Sequence, residues 1–377
     1  MAPTRTVPNP RPSASWSAAL ELAASRGAAV QLTVIHRGQT VLDGSVRCTR
    51  DALGWLFSAG KPFTSLLVHR LASTGALHLD DPVARHWPEY GTGGAGTKAE
   101  TTIREVLTHR TGLPTAGPYA RAVLTMQDAE SSARRVASAT RRHRSFGQRA
   151  DSLPDDGPSF SAVAAYQPLD FGIILGRVVQ EVTGVPWTQA LRELVLGPMG
   201  LTDVHPGVPD EHLHRCLPVD GSLRALPGGP VMARIVNRRS VRQAVIPAAG
   251  ISTTAQQLAQ FYARLLDAPE LPELSRPSSD GGRDAWTRLK TRWGTGVQLG
   301  GTGQWCPLGT TSTPRTVGHN GSDVCLGWAD PDLDLAVGLI TDRASGSARD
   351  KRLLVELSDL IRSLAANAHG AAEAPGK

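Results

Sequence analysis

Residues 55–90 read WLFSAGKPFTSLLVHRLASTGALHLDDPVARHWPEY. The apolar positions Leu66, Leu67, Val68 and Leu71 suit a buried helix that stops at Gly75. At its start stands Ser58-Ala59-Gly60-Lys61, an S-x-x-K tetrad. Residues three apart share one helix face, so the lysine nitrogen can reach the serine hydroxyl. A serine at a helix N-terminus sits where backbone N–H groups and the dipole favour negative charge. An amine whose pKa is lowered by burial can take the hydroxyl proton. Taken alone, the tetrad fits equally well an N-cap serine beside a surface lysine.

Other chemistries find less in the same stretch. Gly54 to Lys61 misses the G-x-x-x-x-G-K-S/T spacing of a phosphate loop by one residue, and Pro62 stands where that loop needs a hydroxyl. Neither a G-x-S-x-G elbow nor an H-E-x-x-H pair occurs anywhere in the chain. The four cysteines, Cys48, Cys216, Cys306 and Cys325, stand far apart, which argues against a zinc site and fits a reducing compartment. No metal or cofactor is expected.

The chain has 377 residues, 40% hydrophobic and 20% charged, enough for a large core in two lobes. No run of eighteen apolar residues is present, so no spanning helix and no membrane partner is expected. The first residues, MAPTRTVPNPRPSASW, lack an apolar secretory core, which leads us to expect a cytoplasmic protein. The net charge is +6 and only five of the 40 basic residues are lysines. No aromatic-rich motif accompanies the arginines, so a compositional bias explains them better than nucleic-acid binding.

Working outward, AVQLTVIHRGQTVLDGSV (29–46) alternates apolar and polar residues around a His-Arg-Gly turn and predicts a β-hairpin after a helix over 16–25. Residues 80–245 read as mainly helical with long polar loops. The clearest helix there is PLDFGIILGRVVQEVTG (168–184), with Pro168 in its first turn and Gly184 as its stop. Strands return at VCLGWAD (324–330) and LDLAVGLITD (333–342), split by Pro331-Asp332, and a one-faced apolar helix over 347–367 follows. The expected division is a flexible segment 1–15, a sheet lobe from 16–80 plus 245–368, a helical lobe 81–244 and a disordered tail 369–377.

The 55–90 stretch resembles the active-site helix and following loop of the serine β-lactamase-like superfamily, in its class C β-lactamase, carboxylesterase and transacylase branch. TTIREVLTHRTGLP (101–114), the 176–211 and 246–266 segments and GHNGSDVCLGWADPDLDLAVGLITDR (318–343) resemble further blocks of that branch, in the same order. The resemblance implies an α+β fold, an antiparallel sheet flanked by helices with a mainly helical second lobe and a cleft between them. It also implies roles. Ser58 matches the nucleophile that forms an acyl-enzyme, and Lys61 matches its activator. Tyr166 matches the second-motif tyrosine, a phenol whose pKa a nearby ammonium would lower. His319-Asn320-Gly321 matches the third motif, with His319 expected to bond substrate or Tyr166, and Asn320 and Gly321 expected at the substrate. The backbone N–H groups of Ser58 and Ser322 match the oxyanion hole.

Two departures stand out. Pro168 occupies the usual second-motif asparagine position, with Asp170 two residues on as a candidate substitute for substrate binding. His319 replaces the usual third-motif lysine. Both losses argue against efficient β-lactam hydrolysis. The expected activity is serine acyl transfer from a small ester or activated amide. The acceptor is water in a carboxylesterase, or an amine or alcohol in an ATP-independent transacylase of secondary-metabolite (antibiotic) biosynthesis. A β-lactamase or DD-peptidase and a non-catalytic ligand-binding protein are the alternatives. The basic stretch ARRVASATRRHRS (133–145) is either a solvated helix face or a lid that meets an anionic substrate through Arg141 and Arg142.

Overall fold

The computed structural model of the chain describes residues 14–92, 98–139, 163–220, 229–303, 306–343 and 347–373. Strand β1 (Val30–His36) turns through Arg37 and Gly38 into β2 (Gln39–Val46). Both turn residues have positive φ, 52° and 71°, the mirror-image two-residue turn that matches strand twist. Short strands β3 (Gly54–Trp55), β4 (Val204–Pro206) and β5 (Ile251–Thr253) form a separate sheet in the order β3-β5-β4. Strands β6 (Arg292–Trp293), β7 (Gln298–Leu299), β8 (Val317–Gly321), β9 (Cys325–Asp330) and β10 (Leu335–Thr341) complete a seven-stranded sheet in the order β2-β1-β10-β9-β8-β7-β6. Every pairing in it is antiparallel.

The central strands β1 and β10 are buried at every position because helices cover both faces. The Ala14–Ala24 and Ala348–Glu373 helices lie on one face, packing Ala19, Leu357 and Ile361 against Leu32, Trp328 and Val337. The Ala255–Leu266 helix lies on the other. Its close approach depends on Gly338, where a Cβ would stand 2.2 Å from the Ala255 carbonyl oxygen. Arg362 of the final helix donates to Asp330 at the end of β9, both almost fully buried, and tethers that helix to the sheet.

Two boundaries differ from the sequence reading. The 168–184 helix begins at Asp170, with Leu169 as its N-cap, because the Pro168 carbonyl is turned away to accept from Lys61. It ends as expected at Gly184, whose φ is 70°. The final helix runs to Glu373, so part of the expected disordered tail 369–377 is helical; 374–377 lie outside the described residues, as do 1–13 of the expected flexible start. Among the described residues no helix is long and apolar enough to cross a membrane.

Replacing Gly338 by alanine forces the Ala255–Leu266 helix off the sheet. Urea unfolding should show a loss of about 1–3 kcal/mol, and a variant as stable as the parent would show that the helix yields without strain.

Candidate active site

Strand β3 ends at Trp55, and the chain then turns sharply through Phe57, whose φ is 48°, into a single 3-10 turn, Phe57–Gly60. A positive φ is costly for an aromatic residue and marks a locally over-determined backbone. Ser58 therefore projects from a 3-10 turn, and the Lys61–Ser73 helix begins one turn later with Lys61 fully buried. Lys61 Nζ lies 3.2 Å from Ser58 Oγ, 2.8 Å from the Pro168 carbonyl and 3.1 Å from the Ala248 carbonyl. Among the described residues no carboxylate pairs with it. Burial holds its pKa well below the ordinary 10.5, which favours the neutral amine.

The Tyr166 hydroxyl donates to Ser58 Oγ at 2.5 Å. The sequence reading expected a lowered phenol pKa. The structure corrects this: burial pushes the Tyr166 pKa up, and the neutral amine supplies no cation to oppose it. The Tyr166 ring stacks on Trp293, with centroids 5.4 Å apart and planes at 7°, and His109 meets it edge-on at 4.7 Å.

Asp284 holds this wall together. Its carboxylate is 2% exposed, and it accepts from the backbone N–H of Tyr166 at 2.9 Å and from Trp293 Nε1 at 3.3 Å. It also accepts from the N–H groups of Trp286 and Thr287. His109, Asp284 and Trp293 were not singled out in the sequence. Only His109 lay inside a block that resembled the family, and no local spacing marks the other two.

On the far side, Gly321 ends β8 directly against the Ser58 turn. A Cβ there would stand 2.1 Å from the Leu56 carbonyl oxygen and 3.2 Å from the Ala59 nitrogen. The backbone N–H groups of Ser58 and Ser322 make no hydrogen bond to the rest of the described residues, and both residues line the same cavity. His319 also lines it. Its Nδ1 donates to the Asn320 carbonyl at 2.9 Å, while Nε2, buried, has no partner among the described residues. Burial, followed by the charge Lys61 would carry, lowers the His319 pKa to about 3, so the ring is neutral. No His319–Tyr166 hydrogen bond forms, because the Tyr166 hydroxyl is engaged by Ser58.

One expected substrate contact, Asp170, is corrected. Asp170 is 1% exposed and does not line the cavity; it accepts from the Ala116 N–H and pairs with Arg135 at 2.8 Å. Arg135 lies in the basic 133–145 stretch and so works inside the fold, whereas Arg141 and Arg142 lie outside the described residues. Asn320 does line the cavity, yet its amide both donates to and accepts from Asp323, at 2.7 and 3.0 Å, which closes the turn after β8.

The cavity has a volume of about 420 Å³. One part of its wall is apolar, including Tyr119, Val123, Met126, Leu169, Met232 and Trp286, and another carries Arg288, Gln298, Asp323 and Lys351 besides the polar groups at Ser58. Such a site can seat an apolar group, present a carbonyl to Ser58 and offer charged groups to another part of a substrate.

The Beta-lactamase family model matches residues 20–359. The esterase/beta-lactamase LipL of Mycobacterium tuberculosis is 26% identical over 89% of this chain and 82% of its own length. Among solved structures, EstA from Arthrobacter nitroguajacolicus Rue61a superposes with a TM-score of 0.74 at 22% identity, covering 94% of this chain and 98% of that one. EstCE1, described as a hydrolase with promiscuous acyltransferase activity, gives 0.70 at 20% identity, covering 92% and 98%. At these identities the two structures speak for the fold alone.

Removing the Asp284 carboxylate strands four N–H donors in the protein. Asp284→Ala should lose about 3 kcal/mol or more in urea unfolding and change the near-ultraviolet signal of the Tyr166–Trp293 stack. An unchanged aromatic signal would show that Asp284 does not hold the wall.

Proposed function

The chain belongs to the beta-lactamase family, as a serine hydrolase, and from that footing we propose that it is a carboxylesterase acting through an acyl-Ser58 intermediate. The observation that carries the reading is the geometry at Ser58 Oγ, 3.2 Å from Lys61 Nζ and 2.5 Å from the Tyr166 hydroxyl. A neutral Lys61 amine has two N–H donors, which the Pro168 and Ala248 carbonyls take, and one lone pair left for the Ser58 hydroxyl. An uncharged Tyr166 donates to the same oxygen. Every member is satisfied, and the serine proton is aimed at a base.

In the proposed reaction, Ser58 Oγ attacks the ester carbonyl carbon and its proton passes to Lys61 Nζ. The N–H groups of Ser58 and Ser322 hold the alkoxide, each contributing about 3 kcal/mol. The C–O bond to the leaving group breaks as Tyr166 gives that oxygen its proton, and the Lys61 ammonium restores the phenol. Water then reverses the sequence and releases the acid. The unpaired Nε2 of His319 is an acceptor suited to orient that water. General-base help of this kind contributes about 10²- to 10⁴-fold.

A second reading, transfer of the acyl group to an alcohol or amine, is supported by the apolar part of the cavity wall, Tyr119, Val123, Met126 and Trp286, which disfavours water there. The missing second-motif asparagine at Pro168 and the neutral His319 speak against efficient β-lactam hydrolysis, although Arg288 and Lys351 in the cavity wall supply cations for a substrate carboxylate. A purely ligand-binding role leaves the satisfied Ser58–Lys61–Tyr166 network without a use.

Intact-protein mass after brief incubation with p-nitrophenyl acetate should rise by one acetyl group in the parent and not in Ser58→Ala. An equal gain in both would remove Ser58 as the nucleophile. Added amine that shortens the lifetime of the adduct and appears as amide would establish transfer over hydrolysis.

Two further outcomes follow. Acylation should be lost on acidification as Lys61 takes a proton, with a midpoint well below 10.5; a midpoint at the ordinary lysine value would sink the neutral-amine base. Gly321→Ala should lower the burst rate by about 10²-fold, since β8 must withdraw from the Ser58 turn.

A further inference from the structure

A second cavity, of about 240 Å³, lies beside the one at Ser58. Ala133 of the Ala129–Ser138 helix, Ile173 of the Asp170–Thr183 helix, Trp187 and the Ile246–Pro247 segment supply much of its wall. Its polar lining includes Glu130 and Gln180, both exposed, and the buried Ser132, whose hydroxyl donates to the Thr125 carbonyl. Met126 and Leu169 line both cavities, and each is 7% exposed. The partition they form consists of two apolar side chains.

These two side chains differ in freedom. Leu169 is the N-cap of the Asp170–Thr183 helix and follows Pro168, whose carbonyl accepts from Lys61, so its backbone is pinned on both sides. Met126 follows the Tyr119–Leu124 helix and carries an unbranched side chain with three rotatable bonds, able to fill a gap or leave it. Rotation of the Met126 side chain would join the two spaces past Leu169, along the apolar side of the Ser58 cavity.

We propose that the second cavity is a subsite for the distal part of an apolar acyl chain, reached from Ser58 by displacement of the Met126 side chain. The proposal rests on the reading of Ser58 as nucleophile and names the substrate class: esters of long, uncharged acyl chains. Each methylene buried there should raise kcat/KM by about fourfold, because the Met126 thioether gives way to carbon of similar polarity.

The test uses p-nitrophenyl esters from acetate to dodecanoate on the full chain. In the parent, kcat/KM should climb with chain length. Ala133→Phe, which places a ring in the second cavity, should lower the dodecanoate-to-acetate ratio at least tenfold, and Met126→Ala should raise it. A ratio unchanged by Ala133→Phe, with acetate still turned over, would overturn the subsite. If Ala133→Phe fails to fold, Ile173→Phe blocks the same space. Calorimetric titration of the Ser58→Ala protein with 1-decanol and 1-butanol separates the two claims. Decanol binding that Ala133→Phe abolishes, with no ester acylating the parent, keeps the subsite and removes the nucleophile. Acetate acylation with no decanol binding does the reverse.

Discussion

The Lys61 side chain has nowhere to place a full charge. It is entirely buried, no carboxylate among the described residues faces it, and its nitrogen is held by two backbone carbonyls from segments 107 and 187 residues away. Transferring an unpaired ammonium into such surroundings is far less favourable than giving up its proton. Burial therefore favours the neutral amine, the form able to accept the Ser58 proton. The turn at Pro168, the late start of the following helix and the close seat of the Ile246–Gly250 segment all serve those carbonyls. Gly172, where a Cβ would meet the Ala248 backbone nitrogen at 2.2 Å, lets helix and segment close around the amine.

Local pattern reaches a good part of this architecture. The hairpin of β1 and β2, the pair β9 and β10, the helix stop at Gly184 and the S-x-x-K tetrad each depend on residues within a few positions of one another. Turn chemistry and apolar periodicity report such neighbours faithfully. The resemblance of five blocks in order supplied the rest of the fold and brought Tyr166, His319, Gly321 and Ser322 into view.

What escaped the sequence is long-range and polar. Asp284 meets Tyr166 across 118 residues, and nothing around it marks a carboxylate that receives four N–H groups. Asp170 looked available for substrate because its partner Arg135 lies 35 residues earlier, in a stretch whose charge suggested solvent. The Tyr166 pKa went the other way from expectation for the same reason. Proximity to a lysine is legible in a motif, whereas that lysine's neutrality depends on burial that only the assembled fold creates. Asn320 sat where substrate was expected, but Asp323, three residues on, engages its amide.

The strand order has a consequence for how the chain comes into being. β1 and β2 are made early, yet the partner that shields the other edge of β1 is β10, near the C-terminus. During synthesis the hairpin must wait with an apolar edge unpaired until more than three hundred residues have emerged, the kind of non-local pairing that slows folding and invites association between nascent chains. The Ser58 turn waits with it, since β8 and Gly321 close it only at the end. Chains cut short before β8 thus carry the Ser58 turn without Gly321 and Ser322 to close it.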